Sequence, residues 1–288
     1  MRINGKTKIC AIMGDPVEHS LSPAMHNAAF EELGLNLVYV AFQVNTQNLK
    51  TAILGAKSLG ILGLNITMPH KNAVTKYLDI LEGVAKSINA VNTVINRQGK
   101  LIGYNTDGSG VIIALKENQI YLEKKKLVLL GAGGAAKAIA HQVSQDLKEL
   151  VILNRTLNKA KKLAGMLKSS GLKVNARILS PNVLMEELST ADILVNATSV
   201  GMNPDACKSP VPLEYLRSDL AVMDIIYNPL KTRLIKDAEA VGAKIVSGLE
   251  MLIYQGAIAF EIWTGCQAPI KIMRAAILNQ LSKQRVVP

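Results

Sequence analysis

Residues 127–136 read Leu-Val-Leu-Leu-Gly-Ala-Gly-Gly-Ala-Ala: a short aliphatic strand runs directly into a glycine-rich turn, and the turn opens a helical stretch. A strand feeding a helix through so short a turn commits the chain to a β–α unit, with its next parallel strand reached by a right-handed crossover. Gly131 permits the tight turn, Gly133 lets backbone amides approach a pyrophosphate, and Ala136 is small where helix and strand pack. Ala132, Gly134 and Ala135 complete the turn, and the helix N-terminus presents positive potential to phosphate. A tight turn without a ligand is the plainer alternative. The placement between strand and helix favours a dinucleotide site.

The following strand, Leu150 to Leu153, speaks to which dinucleotide. An NAD site carries an acidic residue there to bond the ribose 2′-hydroxyl. This chain has Asn154-Arg155-Thr156, with Lys159 and Lys161 close behind and no carboxylate at the strand end. A planar, always-charged guanidinium suits a 2′-phosphate, so NADP is the expected cofactor. Further on, Asn196-Ala-Thr-Ser-Val-Gly201-Met202 follows another strand. Thr198 and Gly201 are expected at the nicotinamide end, although a Thr-Ser pair also caps segments without binding anything.

Short β-rich runs alternate with helical stretches along most of the chain. The first block has strands at 8–13, 38–44 and 63–68, a hairpin from 91–95 to 101–104, and helices from Ser22-Pro23 to Gly34, over 47–58 and within 70–88. The second block adds a helix from Asp107 to about 118 and strands at 127–130, 150–153, 173–178, 193–196, 222–226 and 244–246. From Leu249 the chain is helical, with a break at 265–269. This pattern predicts an α/β protein of two domains. One is an N-terminal α/β block, 1–106. The other, 107–248, is a Rossmann-type, doubly wound parallel sheet. Aromatic residues make up only 4% of 288 residues against 49% hydrophobic, so the core is aliphatic, as suits a covered parallel sheet.

The net charge of +11 favours anionic partners. The lysines are scattered, without the dense basic stripe of a nucleic-acid reader. Three distant cysteines, Cys10, Cys207 and Cys266, give no zinc or disulfide spacing, and Cys10 reads as a core thiol. Met1 to Lys6 holds no apolar leader core and no run reaches spanning length, so the chain is expected to be soluble and cytoplasmic.

In the first block, Gly63-Leu-Asn65-Ile-Thr67-Met-Pro-His-Lys71 carries a strand into a lysine. It reads either as a plain strand exit or as a site presenting an amide, a hydroxyl and an amine. Upstream, Ser20 and Ser22 stand two residues apart beside a helix start, where two hydroxyls hold a carboxylate. Ser22 also reads as that helix's N-cap before Pro23. His19, His26 and Asn27 read as scaffold polar groups. Asn92 and Asp107 lie at strand ends, and Asp107 serves equally as a helix cap. A lysine ammonium beside a carboxylate can donate a proton to a developing alkoxide while hydride moves.

Taken together these segments resemble the shikimate/quinate dehydrogenase family. The likeness covers essentially the whole chain: Ser20-Leu-Ser22-Pro-Ala-Met-His-Asn27, Asn65-Ile-Thr67-Met-Pro-His-Lys71, Ala90-Val-Asn92-Thr93, Asn105-Thr-Asp107, Gly131-Ala-Gly-Gly-Ala-Ala136, Asn154-Arg155-Thr156, Asn196-Ala-Thr-Ser-Val-Gly-Met202 and Gly248-Leu-Glu-Met-Leu-Ile-Tyr-Gln255-Gly. The resemblance implies reversible, NADP-linked reduction of 3-dehydroshikimate to shikimate, a step towards aromatic amino acids. It implies that Ser20 and Ser22 hold the substrate carboxylate and that Asn65, Thr67, Lys71, Asn92, Asp107 and Gln255 bind the ring, with Lys71 and Asp107 as the catalytic pair. The family fold returns the C-terminal helices 249–288 to the first domain, so that 1–106 with 249–288 would form the substrate domain and Gln255 would reach it; Tyr227 would sit near the substrate, Met202 and Gly248 near the cofactor, and no metal is implied. Ile66 stands where valine is usual, Thr232-Arg233 replaces threonine-proline in a loop of unassigned role, and uncharged Asn158 does not favour mixed use of NAD. A mainly quinate-directed enzyme, a non-enzymatic NADP-binding regulator and a basic nucleic-acid binder are the alternatives. The oligomeric state is not legible in the sequence, and a homodimer is admissible.

Overall fold

In a computed structural model of the chain, which describes residues 3–167 and 172–284, the protein divides into two compact units. One comprises Met1–Thr106 with Ile253–Pro288, the other Asp107–Leu252. Met1 and Arg2, part of the amino-terminal segment read for an apolar leader, lie outside the described residues. No described helix is long and apolar enough to cross a membrane.

The first unit begins with β1 (Lys8–Gly14), α1 (Ser22–Glu32), β2 (Leu37–Gln43), α2 (Leu49–Ser58) and β3 (Gly63–Ile66). A 3-10 turn at Ala73–Tyr77 leads to β4 (Ile80–Leu81), α3 (Gly83–Ile88), β5 (Thr93–Arg97) and β6 (Lys100–Tyr104). The sheet order is β2-β1-β3-β5-β6-β4. β1 is parallel to β2 and β3, whereas β5 runs antiparallel to β3 and β6. Aliphatic side chains of β1, β3, α2 and β5 fill one core, including Met13, Ile53, Ile66 and Val94. Four aromatics gather instead around His26: Phe30, Tyr39, Phe260 and Trp263 all stack or tilt against it. Gly63 is a glycine because the Trp263 indole occupies the space a β-carbon would need. That indole donates to the Val94 carbonyl at 2.9 Å.

The second unit contains α4 (Asp107–Glu117), β7 (Lys126–Leu130), α5 (Gly134–Val143), β8 (Glu149–Asn154), α6 (Leu157–Gly165) and β9 (Lys173–Ile178). It continues through α7 (Pro181–Leu188), β10 (Ile193–Asn196), β11 (Ala221–Asp224), α8 (Arg233–Ala240) and β12 (Lys244–Val246). All six strands are parallel, in the order β12-β11-β10-β7-β8-β9. This is the doubly wound arrangement, reversing direction between β7 and β10. Helix α9 (Gly248–Thr264) begins in this unit and continues into the first, followed by α10 (Ile270–Gln284), which packs on α1.

Several boundaries differ from the sequence reading for local reasons. β3 stops at Ile66 because a turn follows at once, with the His70 N–H donating to the Thr67 carbonyl at 2.9 Å. β5 starts at Thr93 rather than 91, since the Val91 amide donates to the Lys71 carbonyl. β11 ends at Asp224 rather than 226, because the Asp224 carboxylate takes the Ile226 amide at 3.1 Å.

Candidate functional site

In the first unit, the connections leaving β1 and β3 and the one entering β5 lie at the same end of the sheet. This follows from strand direction: Met13 pairs with Ile66, and Asn65 with Thr93. Parallel strands leave ligand-binding loops at their carboxyl ends. Thr67 packs its methyl into the space left by the missing side chain of Gly14. Its amide donates to Met13 at 3.0 Å, so the β1 and β3 exits are locked together. Lys71 follows the cis-proline turn, half-buried, with its carbonyl fixed by the Val91 amide at 2.8 Å. His70, to which the sequence reading gave no role, is buried and donates from Nε2 to the Val44 carbonyl, 2.6 Å away. It thereby ties the lysine-bearing loop to the end of β2.

Ser22 is not the N-cap: Leu21 holds that position, and Ser22 is the first helical residue, buried. Ser20 Oγ accepts from the Ser22 amide at 3.3 Å in the turn before the helix. Asn27 is scaffold, as expected, clamping the Tyr39 backbone through both ends of its amide. His26 is fully buried with neither ring nitrogen hydrogen-bonded, and burial pulls its pKa down to about 3.

Asn65, Asn92 and Gln255 meet in one buried network. The Tyr39 hydroxyl donates to Asn65 Oδ1 at 2.6 Å, and Asn65 Nδ2 donates to the Asn92 carbonyl and Thr93 Oγ1. Asn92 Oδ1 accepts from the Thr106 amide and from Thr93 Oγ1, while its Nδ2 donates to Thr106 Oγ1 and Gln255 Oε1. Thr106 Oγ1 in turn donates to the Gln255 carbonyl at 3.0 Å. Gln255 thus acquires its neighbours from 163 residues away. Thr93 and Thr106, unmarked in the sequence reading, hold the amides' orientations.

In the second unit, Asp107 is the buried first residue of α4. Tyr227 follows β11, and burial raises its phenol above the ordinary value. Gly131 has φ +110°, and a β-carbon there would lie 2.8 Å from the Ala197 carbonyl oxygen. Only glycine accommodates both conditions. Ala132 is buried, whereas Gly133 is exposed, with open space where its side chain would be. Gly133 is also the N-cap of α5 and supplies no capping side chain. The first amides of that helix, at Gly134 and Ala135, therefore have no intrahelical partners. At the end of β8, Asn154 Nδ2 closes a turn onto the Thr156 carbonyl at 2.9 Å. Arg155, Thr156 and Lys159 are exposed, and among the described residues no carboxylate pairs with Arg155 or Lys159.

An uncapped glycine turn, an open cradle above it and an unneutralised guanidinium at the neighbouring strand end fit a dinucleotide with a 2′-phosphate. Thr198 lies in the turn after β10, hydrogen-bonded to Asn196, with exposed Met202 and buried Gly201 (φ +100°) behind it. Gly248 opens α9 where a β-carbon would run into the backbone of Ile225 and Ile226, which accounts for a glycine there by packing alone. Cys10 is buried and its thiol is pushed up to about 12, so it is not a nucleophile. A cavity of about 500 Å³ opens beside Gln43, Asn45 and Asn48, and none of the candidate residues lines it.

Comparison with known proteins follows the same division. Residues 12–94 match the family described as shikimate dehydrogenase substrate binding domain. Residues 113–204 match shikimate / quinate 5-dehydrogenase, and 248–278 match shikimate 5'-dehydrogenase C-terminal domain. A shikimate dehydrogenase (NADP(+)) of Methanocaldococcus jannaschii is 49% identical over 98% of this chain and 100% of its own. A crystal structure of a shikimate dehydrogenase in complex with NADP+ superposes with a TM-score of 0.90 at 47% identity, covering 97% of both chains. A shikimate 5-dehydrogenase from Listeria monocytogenes, in complex with shikimate and NAD, gives 0.89 at 40% identity, covering 96% of this chain and 98% of its own.

Proposed function

The chain belongs to the shikimate dehydrogenase family, and on that premise we propose that it is an NADP-dependent shikimate dehydrogenase, interconverting 3-dehydroshikimate and shikimate in the route to chorismate and the aromatic amino acids. The observation that carries this reading is end-to-end identity of 49% with a relative bearing that activity. The glycine turn and the unpaired Arg155 support the choice of cofactor.

When bound, NADPH supplies the hydride that reduces the ring ketone. In our reading the chain's own residues do the rest. Gly131 to Ala135 offer backbone amides to the pyrophosphate, and Asn154, Arg155, Thr156 and Lys159 take the adenosine 2′-phosphate. Thr198, Gly201, Met202 and Gly248 border the nicotinamide. Ser20 and Ser22 hold the substrate carboxylate. Asn65, Thr67, Asn92, Tyr227 and Gln255 orient the ring and its hydroxyls. Lys71 donates the proton to the alkoxide oxygen, and Asp107 keeps the lysine charged and bonds the neighbouring hydroxyl. Residues 1–106 with 249–288 form the substrate domain in this scheme, and 107–248 the NADP domain.

The basic surface suits two anionic small molecules, and neither nucleic acid nor membrane is a partner here. Three free thiols support a reducing, cytoplasmic location. A homodimer is the assembly to test by light scattering. The deciding assay is absorbance of reduced nicotinamide with shikimate or quinate, each with NADP+ or NAD+. Turnover mainly with shikimate and NADP+ is expected. Preference for quinate would move the substrate assignment, and preference for NAD+, the cofactor seen with the Listeria relative, would move the cofactor assignment.

A further inference from the structure

We propose that Asp224, a residue with no part in the scheme above, is a positioning residue that sets the turn bordering the cofactor by fixing the orientation of the Asn196 amide. The inference rests on the reading that residues 197–202 border the nicotinamide.

Asp224 ends β11 and is completely buried. Its Oδ1 accepts from the Ile226 amide at 3.1 Å and from Asn196 Nδ2 at 3.0 Å. Its Oδ2 accepts from Thr232 Oγ1 at 2.7 Å. Burial pushes its pKa up to about 6, while these three donors pull the other way, and Oδ1, which receives the backbone N–H of Ile226, acts as an acceptor. A carboxylate only accepts. The neighbouring Asn196 amide therefore turns its NH2 towards Asp224 and its oxygen towards the following turn. There Oδ1 receives both the Thr198 amide, at 3.1 Å, and Thr198 Oγ1, at 2.7 Å. With its proton committed, Thr198 Oγ1 accepts from the Val200 amide at 3.2 Å. The reversed Asn196 amide would set its oxygen against the Asp224 carboxylate and its NH2 against the Thr198 N–H.

The turn held this way forms the wall beside the glycine loop. The missing side chain of Gly131 is what lets the Ala197 carbonyl and the Thr198 methyl approach. On its other side, Asp224 holds Thr232, the N-cap of α8, whose Oγ1 accepts from Ile235 at 3.3 Å. This gives the loop at Thr232-Arg233 a role: it anchors the relay at its far end. Gly201 packs against the same threonine, a β-carbon there lying 3.6 Å from Thr232 Cβ.

The test uses full-length protein and NADP+. Hydrogen–deuterium exchange on the wild type, with and without NADP+, checks the underlying reading. No protection of residues 197–202 would refute that reading, and the proposal with it. If protection is seen, Asp224→Ala should raise exchange in that segment without cofactor and weaken NADP+ binding about tenfold, the equivalent of one lost charge-assisted hydrogen bond, with no matching rise in KM for shikimate. Asp224→Asn keeps an acceptor for Asn196 and should restore most of the affinity. A role in stability alone would lower the melting temperature and leave NADP+ affinity unchanged. That result, or Asp224→Asn binding as weakly as Asp224→Ala, overturns the proposal while leaving the cofactor site intact. Should Asp224→Ala fail to fold, Asn196→Ala breaks the relay one link later and is judged by the same readings.

Discussion

Replacing His26 by phenylalanine should remove a pH-dependent loss of stability that the fold builds in. His26 is completely enclosed by Phe30, Tyr39, Phe260 and Trp263, with its ring 4.5 Å from that of Tyr39. Among the described residues neither nitrogen has a partner to share a proton with. Burial therefore holds it neutral down to about pH 3, against 6.5 in an exposed chain. A group whose pKa is depressed by folding lets the unfolded state bind the proton first, so stability falls as pH drops through 6.5 and goes on falling to about 3. Each full pH unit in that window contributes 1.36 kcal/mol. Between pH 8 and pH 5 the accumulated loss is about 2 kcal/mol. Urea unfolding followed through the emission of Trp263, the chain's one tryptophan, measures it at both values. The quantity is a difference of differences: wild type should lose about 2 kcal/mol more than His26→Phe over that range. Contributions from other titrating groups cancel, as does any packing penalty of the larger ring. Equal losses in the two proteins would mean that His26 is protonated in the folded state, and the enclosure argument would fail.

Other substitutions probe the site and the packing. Lys71→Ala should lower kcat roughly 10²–10⁴-fold, as for loss of a general acid, with little change in KM; steady-state kinetics with unaltered kcat would remove Lys71 from catalysis. Arg155→Ala should cut kcat/KM with NADP+ about tenfold or more while leaving that with NAD+ nearly unchanged. An unchanged ratio between the two cofactors would withdraw the 2′-phosphate assignment. Gly63→Ala forces a methyl into the Trp263 indole and should destabilise by about 1–3 kcal/mol, read as a lowered urea midpoint with an unchanged slope.

The β–α rhythm and the glycine turn were legible because each depends on neighbours in the chain. Leu127 to Ala136 carries strand, turn and helix start in ten consecutive residues, and the absence of a carboxylate at Asn154-Arg155 is equally local. Strand ends were less legible. The pattern places Asp224 inside a strand that its own carboxylate terminates, and it reads Ser22 as a cap although Leu21 holds that position.

What the sequence determined by itself is the kind of sheet, the placing of the phosphate turn and the chemical types available to a ligand. The tertiary structure decided which polar groups are free to meet that ligand and which are consumed holding others still. Asn65 spends its amide on Tyr39, Asn92 and Thr93, and the Asp224 carboxylate is consumed by Asn196, Thr232 and Ile226. Those partners are brought in by strand pairing and crossover helices. A hydrogen bond requires its atoms within about 3 Å, and no spacing along a chain encodes that when the partners lie 28 or 163 residues apart.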